Sequence, residues 1–84
     1  MVTSVSVSEG DEVAVVEGEE IVVGGTVIDV RVTDSGWRVV EMQESEETVV
    51  EFWEREDEQK TELYRTDELK RELQVKDSAV LLFR

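Results

Sequence analysis

Eighty-four residues allow one domain, at the small end of what folds alone. The chain has neither Cys nor His, which excludes disulfide staples, thiolate nucleophiles, the commonest metal ligand and the usual general base at neutral pH. Nine basic residues against 22 acidic ones leave a net charge of −13, and the pI is near 4.2.

The acids run from Glu9 to Asp77 and do not gather in a tail, and Lys60, Lys70 and Lys76 are the only lysines. Such charge would keep a chain of low hydrophobicity unfolded. Here 39% of residues are hydrophobic, and the 17 valines fall in runs that read as strands. A folded domain with an acid-covered surface is expected, in one unit over 1–84. This composition resembles that of cytoplasmic proteins of salt-loving archaea. Molar salt cuts the Debye length to about 3 Å and screens the self-repulsion of such a surface. The segment Met1–Glu9 lacks the basic and apolar regions of a signal peptide. The longest apolar run, Ala79–Phe83, has five residues, where a membrane span needs roughly 20. A cytoplasmic location is the expectation.

In chain order, residues 1–9 read as a loose edge strand or tail, with Val2–Ser8 its extended part. Glu12–Glu17 is a strand. Gly18-Glu19-Glu20 makes a turn, and Gly24-Gly25 permits a second tight turn or a bulge. Thr26–Thr33 alternates cleanly, with Ile28, Val30 and Val32 on one face. Asp34-Ser35-Gly36 is a hairpin loop, and Trp37–Met42 returns as a strand. Thr48–Glu54 carries Val50 and Phe52 on one face, Val49 and Trp53 on the other. A charged turn over Arg55–Gln59 leads to a strand at Lys60–Arg65. A short helix is predicted near 66–73: Thr66 suits an N-cap, Asp67 and Glu68 suit the first turn, and Leu69 and Leu73 are spaced for one face. Ala79–Phe83 closes the chain as a strand expected to be buried on both faces. The fold class is therefore mainly β: a small curled antiparallel sheet, or a barrel like that of Src-homology-3 domains, of five to six strands with one short helix. The expected core is Val13, Val15, Ile28, Val30, Val50, Phe52, Leu69, Leu81 and Phe83, with Trp37 beside it.

Gly10-Asp11-Glu12-Val13-Ala14-Val15-Val16-Glu17-Gly18, followed by Gly24-Gly25-Thr26-Val27-Ile28-Asp29-Val30, resembles the KOW pattern. In that family a GD-x-V-x-V strand enters a Gly turn, and a second Gly opens the next strand. Tyr64-Arg65-Thr66-Asp67-Glu68-Leu69 is similar to the ending of Src-homology-3-type and Tudor-type barrels. The KOW resemblance implies a nucleic-acid-associated role in transcription or translation. However, Glu17, Glu19 and Glu20 stand where that family carries a basic turn. A second resemblance, to the PRC-barrel adaptor modules, rests on Gly18-Glu19-Glu20-Ile21 running into Gly25-Thr26-Val27-Ile28-Asp29-Val30, and on the ending Val75–Phe83.

No constellation in the chain carries chemistry. Carboxylate pairs occur everywhere, so none is singled out. The serines lie in the N-terminal run or in turns, without a G-x-S-x-G elbow. The acidic turns Glu44–Glu47 and Glu54–Glu58 lack the alternating ligands and mid-loop Gly of a calcium loop. No catalytic, cofactor-binding or metal residue is assigned, and no cofactor is expected. Arg55, Lys60, Arg65, Lys70, Arg71 and Arg84 are interleaved with acids, which favours surface ion pairs over a phosphate-binding stripe. The expected function is a non-catalytic protein-interaction or adaptor module, with a protein partner or a second copy of the chain. Trp53 is either core on the opposite face of its strand or the exposed anchor of the binding surface, flanked by Arg55 and Arg65.

Overall fold

The computed structural model describes residues 5–66, the strand backbone of 71–75, and residues 79–84. Within them lies one antiparallel sheet of seven strands: β1 (Glu12–Glu17), β2 (Glu20–Val32), β3 (Arg38–Gln43), β4 (Val49–Arg55), β5 (Lys60–Thr66), β6 (Arg71–Val75) and β7 (Ala79–Phe83). The spatial order is β6-β5-β4-β3-β2-β1-β7, a meander whose last strand returns to the free edge of β1. Among the described residues no helix is long and apolar enough to cross a membrane.

The sheet curls over its own core. Val13 and Val15 of β1 and Leu81 of β7 share one buried cluster with Phe52 of β4 and Leu63 of β5. In a flat sheet β5 and β7 would lie on the order of 24 Å apart, beyond the reach of any side chain. Coiling brings them onto one concave face, which Val40, Met42 and Val50 line between them.

Local sequence explains the strand ends and the irregularities. Glu17 pairs with Glu20, leaving Gly18-Glu19 as a two-residue turn. Gly18 has φ 63, and Glu19 is not among the positive-φ residues, the pattern of a type II′ hairpin. The register along β2 shifts twice, leaving Val22 and Ile28 as extra residues. Each shift moves the side-chain alternation to the other face. The core face of β2 therefore reads Val23, Gly25 and Val27, and then, one residue out of step, Val30. Ile28 sits at the bulge and is half-buried, and Val27 takes the core position expected of it. Gly24 and Gly25 lie inside the continuous strand and make no second turn. At Gly25 a Cβ would run into the main-chain carbonyl of Gln43, so that crossing admits Gly alone without a backbone shift.

Val13, Val15, Val50, Phe52 and Leu81 are buried as expected, and Val30 packs partly against them. Other expectations need correction. Phe83 is 53% exposed, and Leu82 is also exposed: Ala79 and Leu81 of β7 are buried, Leu82 alternates to the opposite face, and Phe83 lies at the end of the strand. Of the expected edge strand Val2–Ser8, residues 2–4 lie outside the described residues and the segment from Val5 to Ser8 is not a strand; Val7 packs against the core.

The helix near 66–73 meets two strands. Thr66 ends β5, and Arg71–Val75 forms β6, paired with β5 through Tyr64↔Leu73 and Glu62↔Val75. A four-residue spacing fits one helical face and is also an even number, so it equally fits one strand face. Residues 67–70, Leu69 included, lie outside the described residues. With β6 the sheet has one strand more than the five to six expected.

Candidate functional site: an aromatic row on the outer face

Alternation along β4 sends Val50, Phe52 and Glu54 to the core side, and Val49, Glu51, Trp53 and Arg55 to the outer side. Register then assembles the outer face. Trp53 pairs with Val39 of β3 and with Glu62 of β5, while Glu51 pairs with Glu41 and Tyr64. Trp37, one residue before β3, and Tyr64 of β5 are diagonal neighbours of Trp53, within reach for large side chains. Their rings meet: Trp37 and Trp53 are edge to face with centroids 6.1 Å apart, and Trp53 and Tyr64 are tilted at 5.5 Å. All three aromatics are half-buried. Beneath them Val39 is completely buried, although it points away from the main core. The row is thus a small apolar cluster on the outside of the sheet. Trp37, expected inside, belongs to it, because Arg38 occupies the core-side position that follows.

Polar groups fix the ring orientations. The Trp53 indole Nε1 donates to Glu51 Oε1 at 3.3 Å, and the Tyr64 hydroxyl donates to Glu62 Oε2 at 2.9 Å. The guanidinium carbon of Arg55 lies over the Trp37 ring, 6.0 Å from its centroid. Arg55 also pairs with Asp57 at 3.1 Å and Glu58 at 3.8 Å. Glu41 and Glu51 face each other directly across strands, a like-charge contact that costs stability by itself. Arg31 offsets it, reaching Glu51 at 3.2 Å, Asp29 at 3.4 Å and Glu41 at 3.7 Å. Desolvation acts to lower the Arg31 pKa. The hydrogen bonds and charges of Glu51, Asp29 and Glu41 outweigh it and hold the guanidinium above its ordinary value.

Of the three residues singled out in the sequence, the structure brings two together. Trp53 and Arg55 share the outer face. Arg65 pairs in register with Val50 and so lies on the opposite face, where it contacts Glu44 at 2.9 Å. Sequence reading missed Trp37 and Tyr64 as partners of Trp53. The signal was present in the parity of each strand, but register between strands was needed to read it.

The opposite face ends in a buried ion pair. Arg38 Nε and Glu54 Oε1 lie 2.5 Å apart, with Glu54 only 6% exposed. The approach is off the N–H axis, so the contact is ionic and not an in-line hydrogen bond. Arg38 Nη1 also donates to the Val5 carbonyl at 2.6 Å, tying the N-terminal segment across this end of the core. A cleft of about 350 Å³ opens beside the pair, lined by Val5, Ser6, Val32, Gly36 and Glu56. Among the described residues its single cation, Arg38, is held by Glu54 and Val5, which leaves it little to offer an anion. Among the described residues, no group of three or more Asp or Glu side chains is placed to hold a metal ion. No family model, curated protein or solved structure matches the chain.

Proposed function

We propose that the chain is a non-catalytic protein-interaction or adaptor module of a salt-loving archaeal cytoplasm, and that it binds its partner through the row Trp37–Trp53–Tyr64. The observation that carries this reading is three half-buried aromatic rings in contact on the outer face of a sheet whose core lies on the other side. Half-buried Trp and Tyr combine large apolar area with little conformational entropy to lose, which is why interface anchors are rich in them. Molar salt quenches long-range steering, so contact surface has to supply the affinity. The partner is another protein or a second copy of the chain, whose −13 of charge molar salt screens.

Capture from cell extract in molar KCl, with wild type and Trp53→Ala side by side, tests this. The partner retained by the wild type is expected to bind the variant at least about thirtyfold more weakly, the usual loss at an anchor residue. Tyr64→Ala, on the neighbouring strand, is expected to weaken the same partner. Undiminished binding by two folded variants would sink the proposal. A second reading, a nucleic-acid-associated barrel of the KOW type, draws on the same row, because aromatics on a sheet face can stack unpaired bases. The pairing of Arg31 and Arg55 with acids speaks against it, since phosphate needs unclaimed cations.

A further inference from the structure

We infer that the partner presents a basic, arginine-bearing segment, one guanidinium of which seats against Trp53 and Tyr64 beside Glu62. This rests on the reading of the outer face as a protein-binding surface and adds the chemistry of what it takes.

The side-chain donors of Trp53 and Tyr64 are already spent. Trp53 Nε1 is given to Glu51, and the Tyr64 hydroxyl to Glu62. Among the described residues the cations of the face are also engaged, Arg31 by three carboxylates, Arg55 by Asp57 and Glu58, and Lys60 by Glu58 at 3.9 Å. Around Trp53 and Tyr64 the surface therefore offers ring faces and, at half-buried Glu62, a carboxylate, both electron-rich, while Glu51 is only 14% exposed and already held by Arg31. A ring face attracts a cation through its quadrupole, and a carboxylate accepts hydrogen bonds and cannot donate them. Guanidinium complements both at once: it is planar, permanently charged, and all donor. The free protein already shows the geometry in its own Arg55, whose guanidinium lies over Trp37 at the neighbouring step of the row. An acidic segment would meet like charge, and a purely apolar one would leave Glu62 desolvated. Arginine is preferred over lysine because it stacks and is more weakly hydrated. That contact acts at short range, where screening by salt is weakest.

The test is a titration of the full chain in molar KCl, following Trp53 emission in a Trp37→Phe background so that one indole reports. The probes are a Gly-Arg repeat peptide, its Gly-Lys and Gly-Glu counterparts, a Gly-Leu peptide, and a single-stranded RNA. The Arg peptide is expected to perturb Trp53 saturably and to bind about fivefold or more tighter than the Lys peptide. Glu62→Gln, which leaves the Trp53–Glu51 hydrogen bond in place, is expected to remove most of that preference while leaving the emission of the free protein native-like. Equal binding of the Arg and Lys peptides, or an Arg peptide that leaves Trp53 unmoved, overturns the inference. If the Leu peptide takes the site, the face remains a protein surface and only its basic partner is lost. If RNA alone perturbs Trp53, both this inference and the protein-binding reading fall.

Discussion

Arg38 and Glu54 close to 2.5 Å across the β3–β4 register on the core side of the sheet, while Trp53, one residue earlier in the same strand, faces outward. One step along β4 thus separates a buried charge from an exposed-face aromatic, so the two faces can be altered independently.

That ion pair gives the first prediction. Removing one partner leaves a charge in a nearly dry site, whereas removing both leaves only a packing change. Arg38→Met is expected to destabilise the chain by about 3 kcal/mol, and Arg38→Met with Glu54→Leu to recover most of the loss. Denaturant midpoints of the single and double variants check this. Equal losses in both would mean that the volume of Arg38, and not its charge pairing, is what the site needs.

Gly24 and Gly25 are neighbours with different neighbourhoods. A Cβ at Gly24 meets the flexible end of the Arg84 side chain at 2.8 Å, which can move aside. At Gly25 it meets the backbone of Gln43, which cannot move without shifting β3. Gly24→Ala is expected to change stability by less than about 1 kcal/mol, and Gly25→Ala to cost about 2 kcal/mol or more, as overpacking does. Thermal melts of the two variants compare them directly; the reverse order would place the tight crossing at the wrong glycine.

Salt dependence is the third prediction. The 22 acids repel one another in dilute buffer, and core burial contributes no such dependence, so the melting temperature is expected to climb steeply from low to molar KCl. Arg31→Gln sharpens the test. It leaves Asp29, Glu41 and Glu51 facing one another, a loss of about 1 kcal/mol in dilute buffer after allowing for the partial exposure of Arg31. The loss is expected to shrink in molar KCl. A loss that is the same at both salt concentrations would show that Arg31 acts through packing.

Much of the fold is set locally and is legible in the residues. Alternating Val-rich runs bounded by Gly and acidic turns place β1, β3, β4, β5 and β7 close to their observed limits, because strand period and turn chemistry are properties of a few adjacent residues. Three matters belong to the tertiary structure alone. Leu69 and Leu73 satisfy helix and strand spacing alike, and the pairing of β6 with β5 selects strand for Leu73. The alternation of Ile28, Val30 and Val32 is real, but the bulge in β2 gives the core position to Val27, which no pattern confined to one strand can show. Register likewise decides the site. Trp37, Trp53 and Tyr64 are 16 and 11 residues apart in the chain, and only the diagonal contacts between β3, β4 and β5 make them one surface. Parity told which face each side chain takes within its own strand; the partner across the strand depended on hydrogen-bonded pairing between distant segments.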